Sequence, residues 1–309
     1  MMGNLLVQAG SLFAFTNVAV AKAAGTSGVP WWIWPLALFV TTFLIGIVAA
    51  LAGIGGSTLF VPLVGSFFPF NFDFIRGSGL FVALACSLSA APKLLKANLA
   101  SIRLVIPLAL VASVSSIGGA YLGLSLPQSV LKILLGVLIT GISFVFIFSK
   151  NSDVPKIGIS DTLTRYLNIG GAYFEPSSGK DITWSIWRLP QGLFLFAFIG
   201  VIAGMFGIGA GWANVPVLNL FLGAPLKIAV GTSLSLLAIT DTSAAWIYLN
   251  QGAVLAIITI PSVIGIMAGS RVGVKLLRTA KPKSIRYIVI LMLLFAGLKS
   301  IMDGLKIGL

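Results

Sequence analysis

Gly53-Ile54-Gly55-Gly56-Ser57-Thr58-Leu59-Phe60-Val61-Pro62 interrupts one long apolar run, and Gly207-Ile208-Gly209-Ala210-Gly211-Trp212-Ala213-Asn214-Val215-Pro216 interrupts another. The offset is 154 residues, and Gly53, Ile54, Gly55, Val61 and Pro62 return as Gly207, Ile208, Gly209, Val215 and Pro216. Glycine lowers helix propensity by about 1 kcal/mol relative to alanine. Proline removes a backbone donor and disfavours helix just before itself. Each run is therefore expected to be two shorter helices that meet at the glycines. Glycine-broken apolar segments at matching positions of two halves point to a transport site.

The composition around these breaks belongs to a bilayer. The 309 residues are 58% hydrophobic and 9% charged, with a mean hydropathy of +1.08. Apolar runs of about 20 residues, the length of one crossing, follow each other closely. The net charge of +13 sits at the ends of these runs, where it sets orientation and meets anionic lipid, so the partner is the bilayer and not nucleic acid. The chain has no histidine and one cysteine, Cys86, in an apolar run. That composition removes histidine proton relays, zinc metalloprotease motifs, internal disulfides and Cys-x-x-Cys redox relays. No cofactor or metal is indicated, and an intramembrane enzyme is disfavoured.

The fold class read from this pattern is an all-α polytopic membrane protein of two inverted repeats. Each repeat has a glycine-broken helical hairpin and three further helices. Residues 1–30 form an N-terminal segment, in which Leu5–Phe15 is apolar and Ala21-Lys22-Ala23 resembles a cleavage site. A cleaved signal, an extra helix and a loose arm all remain open there. Residues 31–149 hold the first repeat, 150–186 a polar linker and 187–309 the second repeat. The 154-residue offset continues from Gly77 to Gly231, Leu80 to Leu234 and Pro107 to Pro261. It drifts near Gly119 and Gly269, as a short insertion would cause.

Charge sets the orientation. Lys93, Lys96 and Arg103 flank one loop of the first half, whereas the matching Asn250-Gln251-Gly252 has no charge. The next loop, Ser125–Gln128, is uncharged, but its counterpart is bordered by Arg271, Lys275, Arg278, Lys281, Lys283 and Arg286. Basic short loops face the cytoplasm, so the halves are expected to run in opposite directions, with the linker inside. That arrangement holds only if each broken segment begins and ends on one side. Trp31, Trp32, Trp34, Trp184 and Trp187 read as interfacial belt residues, and Lys93 as a snorkelling helix-end lysine.

Helix starts carry unpaired N–H groups and about half a positive charge, and glycine lets an anion approach them closely. The candidate binding residues are therefore Gly53, Gly55, Gly56, Ser57 and Thr58 from the first break, and Gly207, Gly209, Gly211 and Asn214 from the second. Thr232 and Ser233 are candidate pathway hydroxyls, although hydroxyls also bond back to their own helix. Asp241 is the one acid well inside an apolar run, and intramembrane carboxylates are functional candidates. It would carry a coupled proton, pair with a cation, or act structurally near a wet helix end. Trp212, at the second break, either shapes the cavity or simply packs.

Both breaks with their Val-Pro pairs, the following Val230-Gly231-Thr232-Ser233 and the Asn250-Gln251-Gly252 turn resemble the sulfite exporter TauE/SafE family. The first half departs at Arg76-Gly77-Ser78-Gly79, where a Gly-Thr-Ser-like run would stand. The resemblance implies transport of sulfite, sulfonate or a related organosulfur anion across the bacterial inner membrane, as export in its named members. The leading reading is a secondary transporter of a small anion working by alternating access. The alternatives are an anion channel, or a structural or assembly protein, which a sealed interior without a polar cavity would favour. The chain has no phosphate-binding Gly-x-x-x-x-Gly-Lys-Ser/Thr loop, so it hydrolyses no nucleotide itself.

Overall fold

The computed structural model describes residues 30, 32–68, 70–148, 162–175 and 180–277, with 294, 297, 298, 300–302, 304 and 305 near the C-terminus. The N-terminal segment, Trp31, Asp153 and Asp161 of the linker, and the basic stretch 278–286 lie outside the described residues.

The described chain is mostly helical. Helix α1 (Ile33–Ala52) ends at the first break, and α2 (Ser57–Phe67) resumes after it. Then come α3 (Phe72–Lys96), α4 (Ile102–Ser125) and α5 (Gln128–Phe148). A short α6 (Thr162–Tyr166) precedes strands β1 (Gly170–Glu175) and β2 (Lys180–Ser185). Helix α7 (Leu189–Phe206) ends at the second break. Helix α8 (Gly211–Pro216) follows and passes directly into a π-helical turn, Val217–Phe221. Helices α9 (Leu226–Asn250) and α10 (Ala256–Leu277) complete the set.

Both breaks are made the same way. Gly53 and Gly207 cap α1 and α7 in left-handed backbone, at φ +69° and +66°, with their N–H groups on Ala49 O and Ala203 O. Gly55 and Gly209 repeat that conformation two residues on. L-residues other than glycine resist it, which explains the placement of the motif. The chain then turns back beside its own start. Trp34 meets Phe68 and Phe70 edge-on, with ring centroids 5.6 and 6.2 Å apart. In the second half the Trp187 N–H donates to Leu222 O at 3.1 Å.

The helices pack through glycine on backbone. Gly265, Gly269 and Gly273 of α10 meet Phe39, Phe43 and Ile47 of α1 in that order, so these two helices run parallel. Gly119 and Gly123 of α4 meet Val201 and Met205 of α7, again in parallel. In contrast, Gly77 near the start of α3 faces Ala253 just past α9, and Gly231 near the start of α9 faces Leu99 just past α3. Helices α3 and α9 therefore run antiparallel.

These contacts are reciprocal at the offset of the motif. Gly46 lies on Ile266 O as Gly200 lies on Ala112 O, and Gly119 on Val201 O as Gly273 on Ile47 O. The last pair corrects the expected insertion. The counterpart of Gly119 is Gly273, not Gly269, and the register of 154 carries through. Gly269 serves a different contact, against Phe43.

Six of the described helices, α1, α3, α4, α7, α9 and α10, are long and apolar enough to cross a membrane. Their outer faces keep large apolar side chains bare. Along α4, Ile106, Leu110, Val114, Ile117 and Tyr121 form one exposed stripe, and Phe194 and Phe198 do so on α7. A patch of that extent has no stable contact with water and fits lipid.

The linker holds structure that the sequence reading did not anticipate. β1 and β2 pair antiparallel, with Tyr173 opposite Ile182. Ile169, Tyr173, Trp184 and Ile186 join the apolar cluster that contains Leu104, Leu108 and Leu189. Arg103 donates to Asn168 O at 3.0 Å. Trp184, expected in an interfacial belt, is 7% exposed and belongs to this cluster. Trp32 is exposed, and so is Lys93 near the C-terminal end of α3.

Candidate functional site

The two breaks cross one another in the buried centre. Gly211 sits so close to the Ile54 carbonyl that a Cβ there would collide with it. Reciprocally, Ser57 Oγ donates to Ile208 O at 2.5 Å. Thr58 Oγ1 lies 3.1 Å from both Ile54 O and Ile208 O. Gly53 packs on Val230 as Gly207 packs on Arg76, one position before the matching glycines Gly231 and Gly77. Gly55 faces Leu237 and Ala83, residues that themselves stand one offset apart. Gly56 faces Ile266 and Val82.

The backbone at this crossing is under-used. Among the described residues, no backbone carbonyl accepts from the N–H groups of Gly55, Gly56, Ser57 and Thr58, nor from those of Gly209, Ala210, Gly211 and Trp212, although the Gly56 N–H meets the Cys86 sulfur. First-turn amides are always left over by the helix itself, but buried ones ordinarily find a partner. Two sets of amides without a carbonyl partner therefore lie close together, at the start of α2 and of α8. Cys86, on α3, lies in the apolar cluster with Ile54, Leu59 and Ile208, its sulfur near the Gly56 N–H.

Asp241 reaches the same point. A Cβ built on Gly209 would lie 3.0 Å from Asp241 Oδ2, 3.3 Å from Oδ1 and 3.0 Å from Ser57 Oγ. The residue is 1% exposed, and Oδ2 has no hydrogen-bond partner. This corrects the reading of a structural acid near a wet helix end. The acid lies in the middle of α9, where antiparallel packing on α3 brings it under the second break. No basic side chain pairs with it among the described residues.

The remaining expected residues divide. Asn214 is fully buried, and both its amide atoms lack partners. Trp212 packs against both large apolar clusters, with its indole N–H unpartnered. Thr232 and Ser233 act as ties in this structure. The Ser101 N–H donates to Thr232 Oγ1 at 3.2 Å, and Ser233 Oγ donates to Gly53 O at 2.7 Å. Ser57, Thr58, Asn214, Thr232 and Ser233 are all inaccessible to solvent, so the crossing is closed.

Sequence reasoning named Arg76 only as a departure from the family pattern. It is the largest fully buried side chain among the described residues. Its Nη1 donates to Gly123 O and Met205 O at 3.1 and 2.8 Å, and Nη2 pairs with Asp73. The available signal was an arginine three residues after an acid at the start of an apolar helix, an i,i+3 pair.

Six apolar helices with lipid-suited faces make this a multi-pass membrane protein, and its broken central helices are those of a transporter. The family model for sulfite exporter TauE/SafE matches residues 38–300, and the chain belongs to that family, whose members are membrane transporters and not enzymes. The chain is 23% identical over 278 residues to the "Probable membrane transporter protein YunE" of Bacillus subtilis, covering 87% of this chain and 97% of the relative. It is 24% identical over 264 residues to the "Probable membrane transporter protein MJ0441" of Methanocaldococcus jannaschii, covering 81% and 88%. No solved structure matches it.

Proposed function

We propose that the protein is a secondary transporter that carries a small organosulfur oxyanion, of the sulfite or sulfonate kind, out across the bacterial inner membrane. It works by alternating access. The observation that carries this reading is the contact of two glycine breaks at one buried point, where amides of both lack a carbonyl partner. Amides of Gly55, Gly56, Ser57, Gly209 and Gly211 hold the anion, Thr58 and Asn214 add side-chain donors, and Gly53 and Gly207 shape the turns. Thr232 and Ser233 brace the pathway. Backbone dipoles then balance the charge without a lysine in the membrane centre.

The fold behind this mechanism is a pair of inverted repeats, residues 31–149 and 187–309, joined by a cytoplasmic linker. The antiparallel run of α3 and α9, which are counterparts at the repeat offset, supports it. So do the reciprocal glycine contacts and the meeting of each broken segment's two ends, as two hairpins require. Asp241 takes the coupled proton. Its carboxylate lies beside Gly209 and Ser57 with no cation partner, so charge on it and charge on the solute act on each other directly. The closed crossing suits an alternating-access protein between its two open states; a permanently open anion pore would keep that point wet.

The test is flux in proteoliposomes across a panel of sulfite, sulfoacetate, sulfate and carboxylates. Saturable exchange, driven by a pH or anion gradient and selective for sulfur oxyanions, is the expected result. Flux that rises linearly without saturation would mean a channel. No flux of any panel member in either direction would remove the reading.

A further inference from the structure

We propose that Arg76 is a docking guanidinium for the transported anion, and that Asp73 is a built-in carboxylate that occupies Arg76 when no anion is present. The proposal rests on the transport reading above and adds a charged residue to its site.

A guanidinium in a membrane interior is costly and persists only where it is well paired or used. Arg76 has five donors in a fixed fork. Nη1 is held by two neutral carbonyls, Gly123 O and Met205 O, at the ends of α4 and α7. Phe72 and Tyr248 rings lie 5.6 Å from its Cζ. Nε is buried and has no partner. The one anionic partner among the described residues is Asp73, and that pair is lopsided. The arginine side chain is 0% exposed, whereas the aspartate side chain is 34% exposed. Gln128 Nε2 holds the other carboxylate oxygen at 2.7 Å. The carboxylate thus stands on the water side of the guanidinium, where an anion from that face would arrive. Sulfite and sulfonate oxygens match the same forked donors that a carboxylate does.

The packing of position 76 on the break does not by itself call for a guanidinium. At the matching position the second half has Val230, which packs on Gly53 as Arg76 packs on Gly207. The backbone contact at the break is therefore served equally by an apolar residue. What Arg76 adds is two bonds to helix-end carbonyls and a charge, placed beside the second break. Tyr248 steadies the same helix end, its hydroxyl within reach of Gly204 O and Met205 O at 3.1 and 3.2 Å. An anion that displaces Asp73 from Arg76 stands at the end of α3 opposite Lys93, Lys96 and Arg103, which is the release side of the export proposed above.

Asp73→Asn removes the competing charge and keeps a side chain that Gln128 can bond. In proteoliposomes its KM for sulfite or sulfoacetate should fall by about tenfold, the worth of one hydrogen bond to a charged group, with kcat little changed. In detergent the same variant should melt lower than the parent without anion and regain stability on addition of sulfite. The double variant Asp73→Asn, Arg76→Gln should lose the sulfite response. An unchanged or raised KM in Asp73→Asn overturns the proposal, as does equal stabilisation of the double variant. Either result would make Arg76–Asp73 a structural ion pair while transport by the parent stands. Parent protein without flux would sink the transport reading instead, and the melting experiment would still decide whether Arg76 binds the anion.

Discussion

Gly209→Ala separates site from scaffold. Position 209 has φ +62°, where an L-residue costs roughly 1–2 kcal/mol. The added methyl would lie 3.0 Å from Asp241 Oδ2 and 3.0 Å from Ser57 Oγ, side-chain atoms that can yield by a few tenths of an ångström. The folding cost is then close to the backbone term alone, a fall in melting temperature of about 2–3 °C for a chain of 309 residues. The methyl, however, fills the space between the carboxylate, the hydroxyl and the unpaired amides. Saturating flux should fall to background in proteoliposomes that hold the normal amount of folded protein. Gly211→Ala supplies the contrast, because its methyl would run into the Ile54 backbone carbonyl, which cannot rotate away. That variant should lose folded yield as well as flux. Wild-type flux in folded Gly209→Ala would refute the claim that the solute sits at this crossing.

Asp241→Asn should flatten the dependence of flux on pH, and a native pH profile would take Asp241 out of the coupling step. Ser233→Ala strips the Gly53 carbonyl of its side-chain donor and should cost about 1–3 kcal/mol of stability; flux per folded molecule should hold, and a larger loss would place Ser233 in contact with the solute. Cys86 is the sole cysteine and is sealed in the closed crossing, so a sulfonate-bearing thiol reagent should modify it only during turnover. Modification of the resting protein at the same rate would show that the crossing is open without solute.

The glycine breaks, the reversal of the chain at each and the opposed run of α3 and α9 were all legible in residue pattern and loop charge. Their causes are local, since left-handed turns demand glycine and basic loops sort by side. The position of Asp241 was not legible. Its contact with Gly209 follows from antiparallel packing between helices far apart in sequence, and no single-segment periodicity encodes that. Thr232 and Ser233 were recognised as small polar residues, but whether their oxygens meet solute or backbone depends on what α9 packs against. The β1–β2 hairpin had a local signal that went unread. Ile182, Trp184 and Ile186 alternate with Asp181, Thr183 and Ser185 at the period of a half-buried strand. Trp184 was misplaced for the same reason, since a tryptophan beside an apolar run looks interfacial until its strand is seen.

The parallel seams of α1 with α10 and α4 with α7 join each glycine-broken arm to the opposite copy of the sequence. Backbone seated on glycine leaves little room for sliding, so these interlocked pairs behave as struts. In the transport cycle proposed above, the bodies that shift past each other are hence mosaics, each drawn from both proposed repeats, and the repeat boundary is not the mechanical boundary. A chain severed between residues 149 and 161 should still assemble from its two fragments, because each clasps the other.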